Sequence, residues 1–353
     1  MSFIIGNSQS AWSIGGGITG GYLIKIHPDF PEIEQPAFGL NVGLYKNLEG
    51  KKWWHSYYRH PQFGIETNIT NPGNPSVFGN LYSISAVIRF PVGNPMKRNW
   101  VFIPSVGLSY LTKPYDIVSN TENIVLGTHV NNITRLSIER QVLSFGEQEL
   151  HAGVSISHYS NGGVHPDNIG LNIPQAYIYL YPKLEKAHRA KSNDDSKNYT
   201  KNVQPGIRVA HGFQRKKVAH GPIYSVYSLS LFVSKNISIL SKISTGVELI
   251  YNESTHDFIL LQEIETEDEA LKASRASLFA AHELMLGQLS IYTGMGYYVY
   301  HPVQKQKSVS TKFGVQFYLF DYLESRNQIM IGTFVQSYMG SADYFEIGVG
   351  YQF

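Results

Sequence analysis

Two residues near the middle of the chain, His158 and Ser160, have the types and the spacing for nucleophilic ester cleavage. The stretch from Glu149 to Ser160 alternates along its length, which predicts a β-strand. Side chains two positions apart on a strand share a face, with Cα atoms about 6.5–7 Å apart, so the imidazole can reach the hydroxyl. A serine hydroxyl needs such a base to attack an ester. The alternative to a catalytic role is that His158 and Ser160 are polar residues at the rim of a membrane barrel, hydrogen-bonded to lipid headgroups and water.

The face that carries this pair is otherwise apolar. Its remaining members, read at the same parity, are Leu150, Ala152, Val154 and Ile156. In a transmembrane barrel such a face points toward lipid, and the other face toward a polar interior. Polar side chains in hydrocarbon cost free energy without partners, so a His and a Ser at these positions indicate a function.

Segments with the same alternation recur from one end of the chain to the other and predict an all-β protein. We count about 14 strands, within a range of 12–16, and find no domain boundary between them. We therefore expect a single antiparallel outer-membrane β-barrel over residues 1–353. Clear examples are residues 38–44, Ile223–Val233, Ile239–Tyr251, Leu289–Tyr300, Val309–Phe320 and Ile329–Tyr338; the acidic segment Glu263–Glu269 is the one piece that reads as a short helix.

The C-terminal residues favour a barrel over a soluble sandwich. One face of this last segment is apolar and ends in the terminal Phe353, whereas Glu346 and Gln352 lie on the other face with two glycines. A final strand of this kind resembles the closing strand of bacterial outer-membrane proteins. An exposed edge strand of a soluble protein would favour aggregation, and barrel closure removes that edge.

Composition excludes several classes of function. The chain has no cysteine, so disulfides, thiol catalysis and thiolate metal sites are absent. The net charge of +2 and the lack of a basic stripe argue against nucleic acid. The chain has no apolar run of about 18 residues, so no helical membrane span is predicted. Residues 1–10 lack the features of a secretory signal, so an exported protein of this sequence would be a mature or truncated form.

No cofactor or metal ion is predicted. The run from Gly15 to Gly20 fits the dinucleotide fingerprint only formally, because no helix follows it, and a glycine-rich strand is the better interpretation. The scattered histidines, such as His55 and His129, lack the spacing of metal ligands and are expected at the surface or in the lumen.

The segment His158-Tyr-Ser-Asn-Gly-Gly163, with Asn168-Ile-Gly-Leu-Asn172 after it, resembles the active-site segment of the lipid A 3-O-deacylase (PagL) family, whose broader relatives are called acyloxyacyl hydrolases. The C-terminal run Ala342–Phe353 and the segment Gly294–Tyr298 resemble long bacterial members. The specific motif covers about fifteen residues, and the rest of the chain is similar to the family in its strand pattern.

The resemblance implies an outer-membrane serine esterase that removes an ester-linked hydroxyacyl chain from the 3-O position of lipid A, and so modifies lipopolysaccharide in the outer leaflet. It places the nucleophile at Ser160 and the base at His158. It places the residues that shape the site or donate to the oxyanion at Asn161, Gly163 and Asn168. It requires no cofactor, and it leaves a homodimer open.

One position departs from the family pattern. The acidic residue that orients the histidine in the family falls on Asn172, whose side-chain oxygen can hold a tautomer but cannot stabilise imidazolium as a carboxylate does. Another acid, such as Asp167, could take its place. The departure keeps two alternatives open: a non-catalytic outer-membrane barrel, either a pore or a structural protein, and a phospholipase-type esterase.

Overall fold

The computed structural model describes residues 12–48, 52–92, 100–163, 169–182, 202–215, 221–262, 268–303, 308–320, 327–338 and 341–353. Within these ranges the chain forms 16 antiparallel strands and three short helices. None of the described helices is long and apolar enough to cross a membrane.

The first eight strands close into a barrel, because β8 pairs with β1 as well as with β7. We call it the first barrel. One helix, α1 (Trp53–Tyr57), lies between its second and third strands. The strands are β1 (Ser13–Gly21), β2 (Ala37–Asn47), β3 (Gln62–Asn71), β4 (Leu81–Val92), β5 (Trp100–Leu111), β6 (Val130–Phe145), β7 (Gln148–Ser160) and β8 (Leu171–Pro182).

The last eight strands close into a second barrel, because β16 pairs with β9 as well as with β15. Helices α2 (Glu253–Leu261) and α3 (Glu269–Lys272) connect its third and fourth strands. The strands are β9 (Gln204–Arg215), β10 (Ile223–Ser238), β11 (Ser241–Asn252), β12 (Ser274–Leu286), β13 (Leu289–Tyr300), β14 (Val309–Tyr318), β15 (Gln328–Tyr338) and β16 (Ser341–Gln352).

The predicted all-β antiparallel barrel fold is confirmed, but the prediction of one barrel of about 14 strands over residues 1–353 is wrong. The chain divides into two compact units, each built around one eight-stranded barrel. Alternation reports which way each side chain of a strand points, but it does not report which strand closes the ring. The last strand does close a barrel, as predicted, yet its closing partner is β9 rather than β1.

The glycine-rich run at the start of the chain forms the seam of the first barrel. A Cβ atom on Gly17 of β1 would lie 2.2 Å from the carbonyl oxygen of Ile178 on β8. Only glycine therefore allows the two backbones to approach closely enough to complete the ring. The run lies in strand β1, in agreement with the prediction of a glycine-rich strand.

Charged and aromatic side chains fill the interior of the first barrel. Glu139 is fully buried and accepts hydrogen bonds from Arg89 and from the hydroxyls of Tyr177 and Tyr181. An eight-stranded barrel is just wide enough for its inward side chains. The described interior is therefore filled by side chains, among them these hydrogen-bonded polar groups, rather than open as a channel.

The second barrel is filled in the same manner. The ammonium of Lys312 lies 2.6 Å from a carboxylate oxygen of Glu248 and 2.5 Å from one of Glu346. Arg208 extends from β9 over the ring of Phe334, with 4.6 Å between the guanidinium carbon and the ring centroid. These buried charges are retained because each one is paired.

One end of the first barrel carries three connections, residues 22–36, 72–80 and 112–129. Apolar residues of these connections pack against inward-facing residues at the strand ends. We call this group the loop cluster. Its members are Leu23, Phe30, Ala37, Val77, Phe78, Leu81, Leu111, Val125, Leu126, Ile133, Tyr159, Leu171 and Ile173. Because Tyr159 and Leu171 belong to it, the cluster fixes the end of β7 and the start of β8.

Candidate active site

Strand β7 positions the candidate nucleophile and base. Along it inward side chains such as Ser157, which is 1% exposed, alternate with outward ones such as Ile156, which is 44% exposed. His158 and Ser160 have the parity of Ile156, which places both on the outer face of the strand, where His158 is half-buried and Ser160 is 9% exposed. On β7 the apolar part of that face ends at Ile156. His158 and Ser160 occupy the last outward positions of the strand before the loop.

Asn172 orients the imidazole. It stands directly opposite His158 in the pairing of β7 with β8, and Nδ1 of His158 donates to Oδ1 of Asn172 at 2.8 Å. Because an amide oxygen can only accept, the ring proton lies on Nδ1 and the lone pair on Nε2. An imidazole held in this tautomer can accept a proton at Nε2 from a hydroxyl.

The backbone around Asn172 is tied to the segment that follows β1. The carbonyl of Asn172 accepts from the N–H of Ile24 at 2.9 Å, and the carbonyl of Pro174 accepts from the N–H of Tyr22 at 3.3 Å. These bonds extend the seam beyond the last residue of β1. The amide that orients His158 is therefore carried by a strand paired on both sides.

Gly170 packs against the imidazole from the loop. Its φ of +81° lies in the left-handed region, and a Cβ atom there would lie 2.9 Å from Cε1 of His158. Its N–H donates to the carbonyl of the fully buried Val125 at 3.2 Å. The loop cluster thus holds Gly170 against one edge of the ring, and glycine suits both the backbone angle and the space.

Strand β6 brings two polar residues beside the pair that the sequence analysis missed. Asn132 lies directly opposite Ser160, and Thr134 directly opposite His158. The hydroxyl of Thr134 donates to Oδ1 of Asn132 at 3.0 Å. The signal was present in the sequence, because these are the polar members of an outward face that otherwise carries the exposed Leu136 and Ile138.

The other predicted site residues are only partly brought into the site. Asn161 follows Ser160 directly and is 8% exposed, and Gly163 has a φ of +85° in the turn after it. Asn168 and Asp167 lie outside the described residues. Roles for Asn161, Gly163 and Asn168 in holding an oxyanion remain predictions.

The tyrosines of β8 resolve an ambiguity of the sequence, since both faces of this strand carry large side chains. Tyr177, Tyr179 and Tyr181 are at most 7% exposed and face the interior, whereas Ile178 is 50% exposed. Asn172 shares the parity of Ile178 and therefore lies on the outer wall with His158.

A second Ser–His contact lies on the outer wall of the second barrel. The hydroxyl of Ser241, at the start of β11, is 2.6 Å from Nε2 of His282 on β12. Within the described residues, Nδ1 of His282 has no hydrogen-bond partner.

No group of three or more metal-ligating side chains occurs in the described ranges of either barrel.

Comparisons with solved structures find other barrels at low similarity. A double mutant of the Rhodopseudomonas blastica porin has 9% identity, with coverage of 97% of this chain and 100% of the porin and a TM-score of 0.22. The Ralstonia pickettii toluene transporter TbuX has 11% identity, with coverage of 97% and 88% and a TM-score of 0.19. TM-scores this low do not establish a shared fold. No curated protein matches the chain.

Family models match both barrels. Residues 38–180, which include the whole candidate site, match the family described as lipid A 3-O-deacylase (PagL). Residues 199–353, which include every strand of the second barrel, match the family described as acyloxyacyl hydrolase, C-terminal domain. The two matches follow one another along the chain and together include at least part of every strand except β1. The chain belongs to the lipid A 3-O-deacylase (PagL) family.

Proposed function

We propose that this protein is an outer-membrane esterase that removes the hydroxyacyl chain from the 3-O position of lipid A. The observation that carries the proposal is the hydrogen bond between His158 and Asn172 on the outer wall, with Ser160 two positions away on the same side. This arrangement belongs to a chain of the PagL family, whose description names that reaction.

The reaction begins with attack by Ser160 on the ester carbonyl. As the Oγ–C bond forms, the hydroxyl proton moves to Nε2 of His158, which is free to accept it because Nδ1 donates to Asn172. The tetrahedral intermediate then collapses, the C–O bond to the sugar breaks, and His158 returns the proton to the sugar oxygen. Water hydrolyses the acyl-serine with the same base, which releases the fatty acid.

Asn172 supplies orientation without a negative charge. The resemblance implies that family members carry an acidic residue at this position. A carboxylate there would both hold the tautomer of the histidine and stabilise the imidazolium that forms during attack. The amide of Asn172 performs the first task at 2.8 Å and only weakly the second. We therefore expect a working but slowed enzyme.

The depth of the site fits a substrate that lies in a membrane. Below His158 the outer wall presents apolar side chains, among them Val154 and Ile156, which are 58% and 44% exposed. At His158 the wall changes to polar groups, as expected at the level where an acyl ester joins its headgroup. Acyl chains packed along the wall would place their ester beside Ser160, so the membrane itself does much of the substrate selection.

The packed interiors bear on the non-catalytic alternative. In each barrel the described inward side chains form buried ion pairs, such as Arg89–Glu139 and Lys312–Glu248. Eight-stranded barrels leave space only for such side chains. These interiors favour a function of the outer wall over a function as a pore.

Lipid A mass spectrometry tests the proposal. The protein is expressed in a bacterium with defined lipid A, beside the variants Ser160→Ala and Ser241→Ala. We expect loss of one hydroxyacyl group with the wild type and with Ser241→Ala, and intact lipid A with Ser160→Ala. Intact lipid A with release of fatty acid from phospholipid would indicate a phospholipase-type esterase. No change in either lipid would indicate a barrel without catalysis.

A further inference from the structure

The outer face of β6 presents a carboxamide directly beside the proposed nucleophile. Asn132 is the cross-strand partner of Ser160 and is partly exposed. Cβ atoms of directly opposed residues in an antiparallel pair are about 4.5–5.5 Å apart, so the two side chains can reach one ester group together. No step of the reaction described above uses Asn132.

The neighbours of Asn132 fix which way its amide points. Nδ2 lies 3.4 Å from the carbonyl oxygen of Gly107, which can only accept, and Oδ1 accepts from the hydroxyl of Thr134 at 3.0 Å. The amide nitrogen carries two hydrogens, and a bond of 3.4 Å to Gly107 is long for this type of contact. The nitrogen therefore keeps capacity to donate to a group that arrives at the outer wall.

We propose that Asn132 is a further catalytic residue, which donates a hydrogen bond from Nδ2 to the carbonyl oxygen of the ester as that oxygen becomes negative. This inference rests on the proposed function. As the Oγ of Ser160 bonds to the carbonyl carbon, the π electrons move to the oxygen, which accepts from Asn132. When the intermediate collapses, the carbonyl re-forms and the sugar oxygen leaves with the proton from His158.

Thr134 acts as a positioning residue for this donor. Its hydroxyl occupies Oδ1 of Asn132, so the opposite end of the amide, Nδ2, is directed away from it. Thr134 also lies opposite His158 in the same register. Asn132 and Thr134 on β6 therefore face Ser160 and His158 on β7 as two consecutive cross-strand pairs.

Kinetics on lipid A in mixed detergent micelles test the inference, with Asn132→Ala, Asn132→Asp and Thr134→Val measured against the wild type. Loss of one oxyanion donor lowers kcat by about 10²–10³-fold, and we expect this for Asn132→Ala with KM unchanged. Asn132→Asp keeps the size but presents an anion that repels the oxyanion, so it should be at least as slow. Thr134→Val should lower kcat less than Asn132→Ala does, and Thr134→Ser should restore it.

Two controls keep the result interpretable. Heat-modifiable migration on gels reports whether each variant forms its barrels, and the inference is judged on variants that migrate as the wild type does. If Ser160→Ala abolishes deacylation while Asn132→Ala and Asn132→Asp keep wild-type kcat, Asn132 has no catalytic role and the proposed function stands. If the wild type releases no acyl chain, both proposals fail.

Discussion

The two barrels share an architecture and differ in what surrounds a serine–histidine pair on the outer wall. In the first barrel His158 donates from Nδ1 to Asn172, and Ser160 has the polar neighbour Asn132. In the second barrel Ser241 lies 2.6 Å from Nε2 of His282, yet within the described residues nothing binds Nδ1 of that ring.

Under the proposed function, contact between a hydroxyl and an imidazole is insufficient to identify an esterase. A base must be held in one tautomer, and donors must meet the oxygen on which charge develops. The first barrel supplies the orienting amide, a glycine packed against the ring, and a polar pair on the adjacent strand. The contact between Ser241 and His282 satisfies two polar groups on the outer wall. Thr293 lies opposite His282 as Thr134 lies opposite His158, but among the described residues no acceptor binds Nδ1 of His282.

The largest expected effect is the loss of activity when the Ser160–His158 pair is removed, with removal of the Ser241–His282 pair as the control. Ser160→Ala and His158→Ala should lower kcat/KM for lipid A by at least about 10³-fold, because nucleophile and base act as one unit. Ser241→Ala and His282→Ala should leave it within about twofold of wild type. Release of fatty acid, quantified by mass spectrometry, is the measurement. Equal losses from the two barrels would contradict the distinction drawn between them.

A second prediction concerns the buried ion pairs of the second barrel. Lys312→Met leaves Glu248 and Glu346 buried without their main partner, which should lower the free energy of unfolding by about 3–5 kcal/mol. The temperature at which the protein loses its folded migration on a gel is the readout.

The matched control for this prediction adds Glu346→Gln to Lys312→Met. Arg208 and Glu248 then remain as a buried pair of opposite charges, so the double variant should recover most of the lost stability. An unchanged transition in Lys312→Met would show that the cluster does not support the barrel.

A third prediction separates backbone strain from contact with the imidazole. Gly170→Ala places a methyl group 2.9 Å from Cε1 of His158, which should displace the ring and lower kcat by about 10–100-fold. Gly146 in the turn between β6 and β7 is the control, since its φ of +55° is also left-handed but nothing lies within 4 Å of its Cβ position. Gly146→Ala should lose stability and keep its kcat. Similar kcat values for both variants would remove Gly170 from the site.

Strand alternation predicted much of the fold, because it depends on local side-chain chemistry. The segments around Phe38, Ile223, Leu289 and Ile329 lie in strands β2, β10, β13 and β15. Closure of the ring depends on which strand pairs with the last strand of the barrel. The sequence of β8 alone does not reveal that it pairs with β1 rather than with β9. Helices α1 and α2 were not predicted. The predicted helix Glu263–Glu269 lies outside the described residues except for Asp268 and Glu269, and α3 begins at Glu269.

The site was predictable only where its members lie close together in sequence. His158 and Ser160 share one strand, and parity alone places them on one face. Asn132 is brought to them by the register of β6 on β7, and Gly170 by its bond to Val125 in another loop. Both contacts join residues far apart in the chain. A motif search therefore cannot find Asn132, and the motif, although it contains Gly170, does not reveal that this glycine packs against the imidazole.

The smallest expected effect is an increase in kcat when Asn172, the residue that orients His158, is replaced by an acid. His282 in the second barrel has no such orienting partner among the described residues. Asn172→Asp keeps the shape of the side chain and adds a charge, and hydrogen bonds to charged groups contribute about 1 kcal/mol more than neutral ones. We expect kcat to rise by about five- to tenfold, because the carboxylate also stabilises the imidazolium formed during attack. Asn172→Glu should gain less, since Asn172 already reaches Nδ1 at 2.8 Å and a longer side chain must bend to fit. Asn172→Leu, which has no acceptor, is the control and should be slower than wild type. A faster Leu variant would mean that Nδ1 of His158 needs no partner, and the unassisted His282 of the second barrel would then be as competent a base.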